Sequence, residues 1–294
     1  MLKFEYLTHE ELSALDFNKC HLILPVGPFE QHGPHLPVTT DIVIARYLAE
    51  SVCETMKIEK YEHCGVEAPA FTYAPAAISD GIGLTPQLKP ESFTAYLAEV
   101  LVQYAAIGFK KIVVITHHFE LKFVKSVIAA IAACEAKCPG VRIVEPLSAY
   151  YYSGEYNAAL EKYIKSKKNS EEKQDEIYKS YSDIDFKKEI HADIKETSLM
   201  MYLLPRVVKS DTLSSLPPFL ANPAAEFLKL NFTFKSMGAE AGYIGSPARS
   251  SIFLGELIFK QLRTCVLKSS KNLAEGNPQE NAIPLYIKAV LTVI

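Results

Sequence analysis

Two short segments of this 294-residue chain carry acids and imidazoles at a spacing that suits a metal centre. In PVGPFEQHGPHLPVTTD, Glu30 and His32 stand two residues apart and Asp41 closes the stretch; in THHFE, His118 and Glu120 repeat the same relation. Residues i and i+2 on extended backbone project to one side, so each segment offers a paired set of ligands. Imidazole nitrogens mixed with carboxylate oxygens suit zinc, manganese or iron(II) better than calcium. Asp41 adds an oxygen donor able to bridge two ions, and two ions with a shared water are a hydrolytic device.

Each residue also has a plainer account. Asp41 fits the amino-terminal cap of a helix, Glu30 a solvated loop carboxylate, and His32 or His118 a core imidazole bonded to a carbonyl. Glu196 fits the third position of a capping arrangement. Taken together these accounts weaken, because burying so many polar groups at one end of two strands with nothing to pair them costs several kcal/mol.

The elements that must position these residues are legible from apolar periodicity. HLILPVG (21–27) reads as a buried strand, and 42–56 has helical spacing with Thr40 or Asp41 as its cap. Pro90 and Gly108 bracket a helix. KIVVIT (111–116) is a second strand, 121–137 a helix stopped by Pro139 and Gly140, and VRIVEPL (141–147) a third strand. Residues 155–189 turn rich in Lys, Glu, Ser and Tyr and read as a charged, solvated helical excursion. HADIKETSLMMYLLP (191–205) is an apolar helix ended by Pro205, 210–247 reads as long loops, and 251–267 as a late helix. Alternating strands and helices of this kind build a mostly parallel sheet covered on both faces, an α/β class. The two ligand segments then sit at the carboxyl ends of their strands, where open α/β sheets form ligand sites.

Composition narrows the function. Hydrophobic content of 49 % with 22 % charged residues belongs to a soluble globular chain rather than a disordered or membrane one. A formal net charge of -3 gives no basic field for nucleic acid, which leaves a small-molecule substrate. The apolar run around Val127–Ala133 falls far short of the roughly 20 residues that span a bilayer. The opening MLKFEYLTHEELSALDF lacks a secretory pattern, so the expected location is cytoplasmic. Cys20, Cys53, Cys64, Cys134, Cys138 and Cys265 are scattered and read as reduced core thiols; Cys134 and Cys138, four apart, make no metal motif on their own.

The motifs also carry a resemblance. EQHGPHLPVTTD resembles the E-Q-H-G-x-H-L-P-x-x-T-D motif of the creatininase (creatinine amidohydrolase) family, and THHFE resembles the H-x-E form of creatininase proper, where many relatives have N-G-H-G-G-N. HADIKETS resembles the family's H-A-G-x-x-E-T-S, and GYIGSP (242–247) its late glycine loop. The resemblance implies one creatininase-like domain over 1–294, a three-layer α/β/α sandwich assembled as a homo-oligomer, a hexamer. It implies two divalent ions, Zn2+ first with Mn2+ or Fe2+ as alternatives, held by Glu30, His32, Asp41 and His118, with Asp41 bridging and either Glu120 or Glu196 completing the second site. Glu120, His191 and Glu196 are the implied catalytic groups; from their positions in the sequence, Phe119 between the ligand positions and Tyr151 after the third strand, with Tyr150 and Tyr152 beside it, are expected to line the pocket. The implied reaction is hydrolysis of a C–N bond in a small cyclic amide. A dinuclear hydrolase of a cyclic keto-sugar such as a keto-inositol, and a non-catalytic metabolite-binding relative, are the rivals. The chain departs from the family pattern in having no tryptophan, which creatininase proper closes over its substrate, and in placing Thr116, His117 and Leu121 where N-G-H-x-x-N has small or amide residues.

Overall fold

The computed structural model describes residues 2–169, 172–222, 225–226, 229 and 232–277; residues 1, 170–171, 223–224, 227–228, 230–231 and 278–294 of the expected single domain lie outside the described residues. In chain order the elements are β1 (Leu2–Lys3), α1 (His9–Ser13), β2 (Cys20–Pro25), α2 (Thr40–Ile58), β3 (Cys64–Glu67), α3 (Pro90–Ile107), β4 (Lys111–Ile115), α4 (Leu121–Lys137) and β5 (Arg142–Val144). They continue as α5 (Pro146–Tyr152), α6 (Glu155–Ser166), α7 (Glu172–Tyr181), α8 (Ile194–Leu203), α9 (Ser210–Leu213), α10 (Phe234–Met237) and α11 (Ile252–Ala274).

The strands form one parallel sheet in the order β1-β3-β2-β4-β5. CHLILP and KIVVI are near-continuous apolar runs because both faces of a parallel sheet are covered. Alternation then sorts the side chains. Leu22, Leu24, Ile112 and Val114 pack with residues of α3 and α4, whereas Ile23, Val113 and Ile115 pack with α2, α8 and α11 on the other face. The result is the α/β/α sandwich that the family resemblance implies, built on the parallel sheet that the strand–helix alternation predicts. The chain leaves β2 for β3 on one side, while β4 pairs on the other. That reversal opens a crevice at the carboxyl ends of β2 and β4.

Three local expectations are corrected. The third strand stops at Val144, because the Glu145 side chain accepts from the Leu147 and Ser148 amides and Pro146 suits the first turn of α5. The 155–189 excursion is less solvated than its composition predicts, since Tyr156, Leu160, Ile164 and Tyr181 join the core. Residues 210–247 are not loop throughout but include α9 and α10. The sequence also conceals β3. Its CGVE has no apolar alternation, yet Gly65 is required there, since the Sγ of Cys53 from α2 lies 2.8 Å from where a β-carbon would sit.

α11 covers α8 at close range. A β-carbon on Gly255 would fall 1.9 Å from the carbonyl oxygen of Ser198, so only glycine lets the two helix backbones meet. Gly255→Ala is expected to destabilise the protein by about 1–3 kcal/mol, the usual range for overpacking, read as a lowered midpoint in urea. No helix among the described residues is long and apolar enough to cross a membrane.

Candidate metal centre

Glu30 lies in the loop after β2, where its amide donates to the Val38 carbonyl and its Oε1 accepts from Ser79 Oγ at 2.7 Å. This fixes the carboxylate and leaves Oε2 facing His118 Nδ1 at 3.2 Å. The Glu30 carbonyl accepts from His32 Nδ1 at 2.9 Å, so Nε2 is the nitrogen left to bind a metal once the ring is neutral. His32 Nε2 stands 3.6 Å from Asp41 Oδ1 and 3.6 Å from Glu196 Oε2. The other oxygen of Asp41, Oδ2, is 3.3 Å from His118 Nδ1.

The plainer accounts of Asp41 and Glu30 fail on these positions, whereas His32 does bond a carbonyl and Glu196 does stand third after its helix cap. Asp41 lies inside the first turn of α2, not at its cap, and neither carboxylate oxygen has a hydrogen-bond donor. Glu30 is fully buried rather than solvated. Among the described residues, three groups of ligand atoms lie within mutual reach: Glu30, Asp41 and His118; His32, Asp41 and Glu196; and Glu30, His32 and His191. Asp41 belongs to the first two and turns one oxygen toward each.

The i, i+2 relation holds the ligands of the first segment together but not those of the second. Glu120 caps α4, accepting from the amides of Lys122 and Phe123 at 3.0 Å each, and stands outside all three groups. Glu196 comes from the first turn of α8, capped by Asp193. Its Oε2 accepts from the Ala192 amide at 2.6 Å. Ala192 itself has φ +44°, a left-handed conformation that turns the chain sharply between His191 and α8. His191 donates from Nε2 to the Gln31 carbonyl at 2.8 Å, and its ring lies 4.2 Å from that of His32. Phe119 stacks on Tyr151 at 4.4 Å and 11°. Tyr152 donates its hydroxyl to the Phe119 carbonyl, while Tyr150 turns away to Gln261 of α11.

Two further histidines escaped sequence reasoning. His117 is buried with Nδ1 3.4 Å from Glu196 Oε1, and His35 bonds Thr197 Oγ1 of α8 at 2.8 Å. The doubled histidine of THHFE and the second histidine of EQHGPH were the available signals.

The electrostatics call for positive charge at this point. Burial works against charge on His32, but Asp41, Glu196 and Glu30 overcome it and push the imidazole up to about 10. His118 is driven well above its ordinary value against the same burial by Glu30 and Asp41. Burial would raise Asp41, yet His32 and His118 hold it well below the usual carboxylate range. Glu196, likewise buried, is brought down to about 2 by His117, His32 and His191. Burial, and then His32, lower His191 below its ordinary value. Glu30 Oε2, His32 Nε2 and both Asp41 oxygens are buried with no hydrogen-bond partner. Orphaned donors of metal-ligand type, converging from separate elements, fit divalent cations by type and by position.

A family model described as creatinine amidohydrolase matches residues 5–268. The chain belongs to the creatininase family. Members of the family are metal-dependent hydrolases. Creatinine amidohydrolase from Pseudomonas putida is 23 % identical over 273 residues, covering 92 % of this chain and 96 % of that protein. A mycofactocin precursor peptide peptidase from Mycobacterium tuberculosis is 30 % identical over 109 residues, 36 % of this chain, and the match spans only 43 % of that peptidase. A mutant creatininase of known structure superposes with a TM-score of 0.67 at 20 % identity, covering 95 % of this chain and 100 % of its own. Other creatininase structures of the same fold include a manganese form, a Zn–Zn form and a complex with creatine.

Proposed function

We propose that this creatininase-family chain is a dinuclear metal-dependent amidohydrolase that cleaves a C–N bond in a small cyclic amide. The observation that carries the reading is Asp41, whose two unpartnered oxygens face two separate acid–imidazole groups. Glu30, Asp41 and His118 would hold one cation, and His32, Asp41 and Glu196 the other. Zn2+ is the leading candidate, with Mn2+ or Fe2+ as alternatives. Bound there, the cations would supply the charge that polarises a carbonyl and acidifies water toward neutrality.

The chain's own groups manage the protons and the fit. With Nε2 tied to the Gln31 carbonyl, His191 keeps Nδ1 as its basic nitrogen, suited to take a proton and return it to the departing amine. His117 steadies Glu196 from the side opposite His32. Phe119, stacked on Tyr151 and with its ring 5.2 Å from that of His117, would offer a substrate a flat aromatic wall, which suits a planar amide ring better than a hydroxyl-rich sugar. Both named relatives, an amidohydrolase and a peptidase, act on C–N bonds, which supports that bond class. The chain is read as one domain, a reading supported by a family match that runs from residue 5 to 268, and as a homo-oligomer of the family's hexameric kind, testable by light scattering.

Glu196 is the proposed second-site carboxylate, with Glu120 kept to its cap and to a supporting acid role. Glu196→Gln is expected to lower bound metal and to abolish turnover. Glu120→Ala should keep its metal and lose about 0.5–2 kcal/mol of stability, as loss of an amino-terminal cap does. Elemental analysis beside urea melts separates the two, and metal loss confined to Glu120→Ala would reverse the assignment.

The function itself is tested by assaying metal-loaded protein against creatinine, hydantoins, formamides and inosose-type ketones. Release of an amine or opening of an amide ring is expected. Turnover confined to the ketones would move the chain to keto-sugar hydrolysis, and fewer than one equivalent of metal at saturation would make it a binding protein.

A further inference from the structure

At the other end of the sheet from the ligand cluster, two thiols face each other across neighbouring strands. Cys20 opens β2 and Cys64 opens β3, and the two are register partners in the parallel pair. Their sulfurs stand 3.1 Å apart, and both are free thiols. Paired strands run about 4.8 Å apart, inside the Cα separation of roughly 4.4–6.8 Å that a disulfide spans. Cys20 is a buried residue and Cys64 a half-buried one, so Cys64 is the more exposed member of the pair.

Electrostatics divide the pair the same way. The hydrogen bond from Cys20 brings the Cys64 thiol down to about 7, whereas Cys20 is pushed far up by the same bond and by burial. A thiolate near neutrality is the effective attacking form in exchange. By contrast, burial pushes Cys134 and Cys265 up to about 12 each.

We propose that Cys64 and Cys20 form a thiol–disulfide exchange site that takes a low-molecular-weight disulfide as its oxidant and closes a cross-link between β2 and β3. In the first step the Cys64 thiolate attacks one sulfur of the small disulfide, forming a mixed disulfide and expelling one small thiolate. In the second, Cys20 loses its proton and attacks the Cys64 sulfur, and the remaining small thiolate leaves and is protonated. The protein dithiol gives up two electrons, and one small disulfide becomes two thiols. The metal centre lies at the carboxyl ends of the strands, so hydrolysis is expected to be unchanged by the cross-link, while closing a 44-residue separation should raise Tm by on the order of 10 °C or less.

Glutathione disulfide is the probe, with the full chain read by intact mass, peptide mapping and thiol counting. Wild type is expected to lose two thiols, drop by about 2 Da and keep no adduct, reversibly with a dithiol reductant. Cys20→Ala should trap one glutathione on Cys64, and Cys64→Ala should take none at Cys20. Wild type that keeps an adduct on Cys64, that stays reduced there while Cys138 or Cys265 reacts, or whose adduct pattern is unchanged by Cys20→Ala overturns the proposal. If Cys20→Ala folds poorly, Cys20→Ser gives the same trapping readout.

Discussion

Asp41→Asn is expected to lower kcat/KM by about 10³-fold or more, equal to roughly 4 kcal/mol of transition-state stabilisation, while leaving the fold intact. The amide matches the carboxylate in shape, so packing at the first turn of α2 is preserved. What it removes is the charge that faces both His32 and His118, at 3.6 and 3.3 Å. Because the residue belongs to two ligand groups at once, its loss weakens both sites rather than one. Bound metal should fall from two equivalents to one or less by elemental analysis, with the circular dichroism spectrum unchanged. Activity within tenfold of wild type and full metal content would show that Asp41 bridges nothing.

Stripping metal with a chelator should abolish turnover and lower Tm by roughly 5–10 °C per ion, since ligand present at 100 times its Kd stabilises the native state by about 2.7 kcal/mol. The gap between metal-loaded and stripped protein should widen with pH. In the stripped protein the folded pKa of His32 is raised to about 10. Its pairing therefore stabilises fully below the unfolded value near 6.5 and is lost as pH climbs toward about 10. Glu196 has the opposite sign. Brought down to about 2, it stabilises above its unfolded value near 4.5 and loses that contribution as pH falls toward about 2. The stripped protein should thus be most stable between about pH 4.5 and 6.5, whereas bound cations, which need neutral imidazoles, favour higher pH. Melting curves from pH 4 to 10 with and without Zn2+ test this. A stripped protein whose Tm holds steady from pH 6.5 to 10 would contradict the pairing of His32 with its acids.

Much of the scaffold was legible because it depends on local signals. β2 and β4 appear as apolar runs, and α3 is bracketed by Pro90 and Gly108, each of which acts through its own backbone. α4 follows its apolar spacing from Leu121 to Lys137. β3 was not legible, because CGVE forms a strand only where the neighbouring β2 offers a ladder and Cys53 demands a glycine. The end of β5 was misread for a related reason, since nothing in VRIVEPL shows that the Glu145 side chain turns back to cap a helix.

By itself the sequence determined the parallel sheet, the two strand tips and the residue types they carry, because period, punctuation and motif are local properties of the chain. Only the tertiary structure decided how those residues are used. Whether a carboxylate caps a helix, as Glu120 does, or turns inward to two imidazoles, as Glu196 does, depends on which element packs opposite it. α11 presses α8 against the sheet through Gly255, and that contact, between segments far apart in the chain, brings Glu196 to His32 and His117.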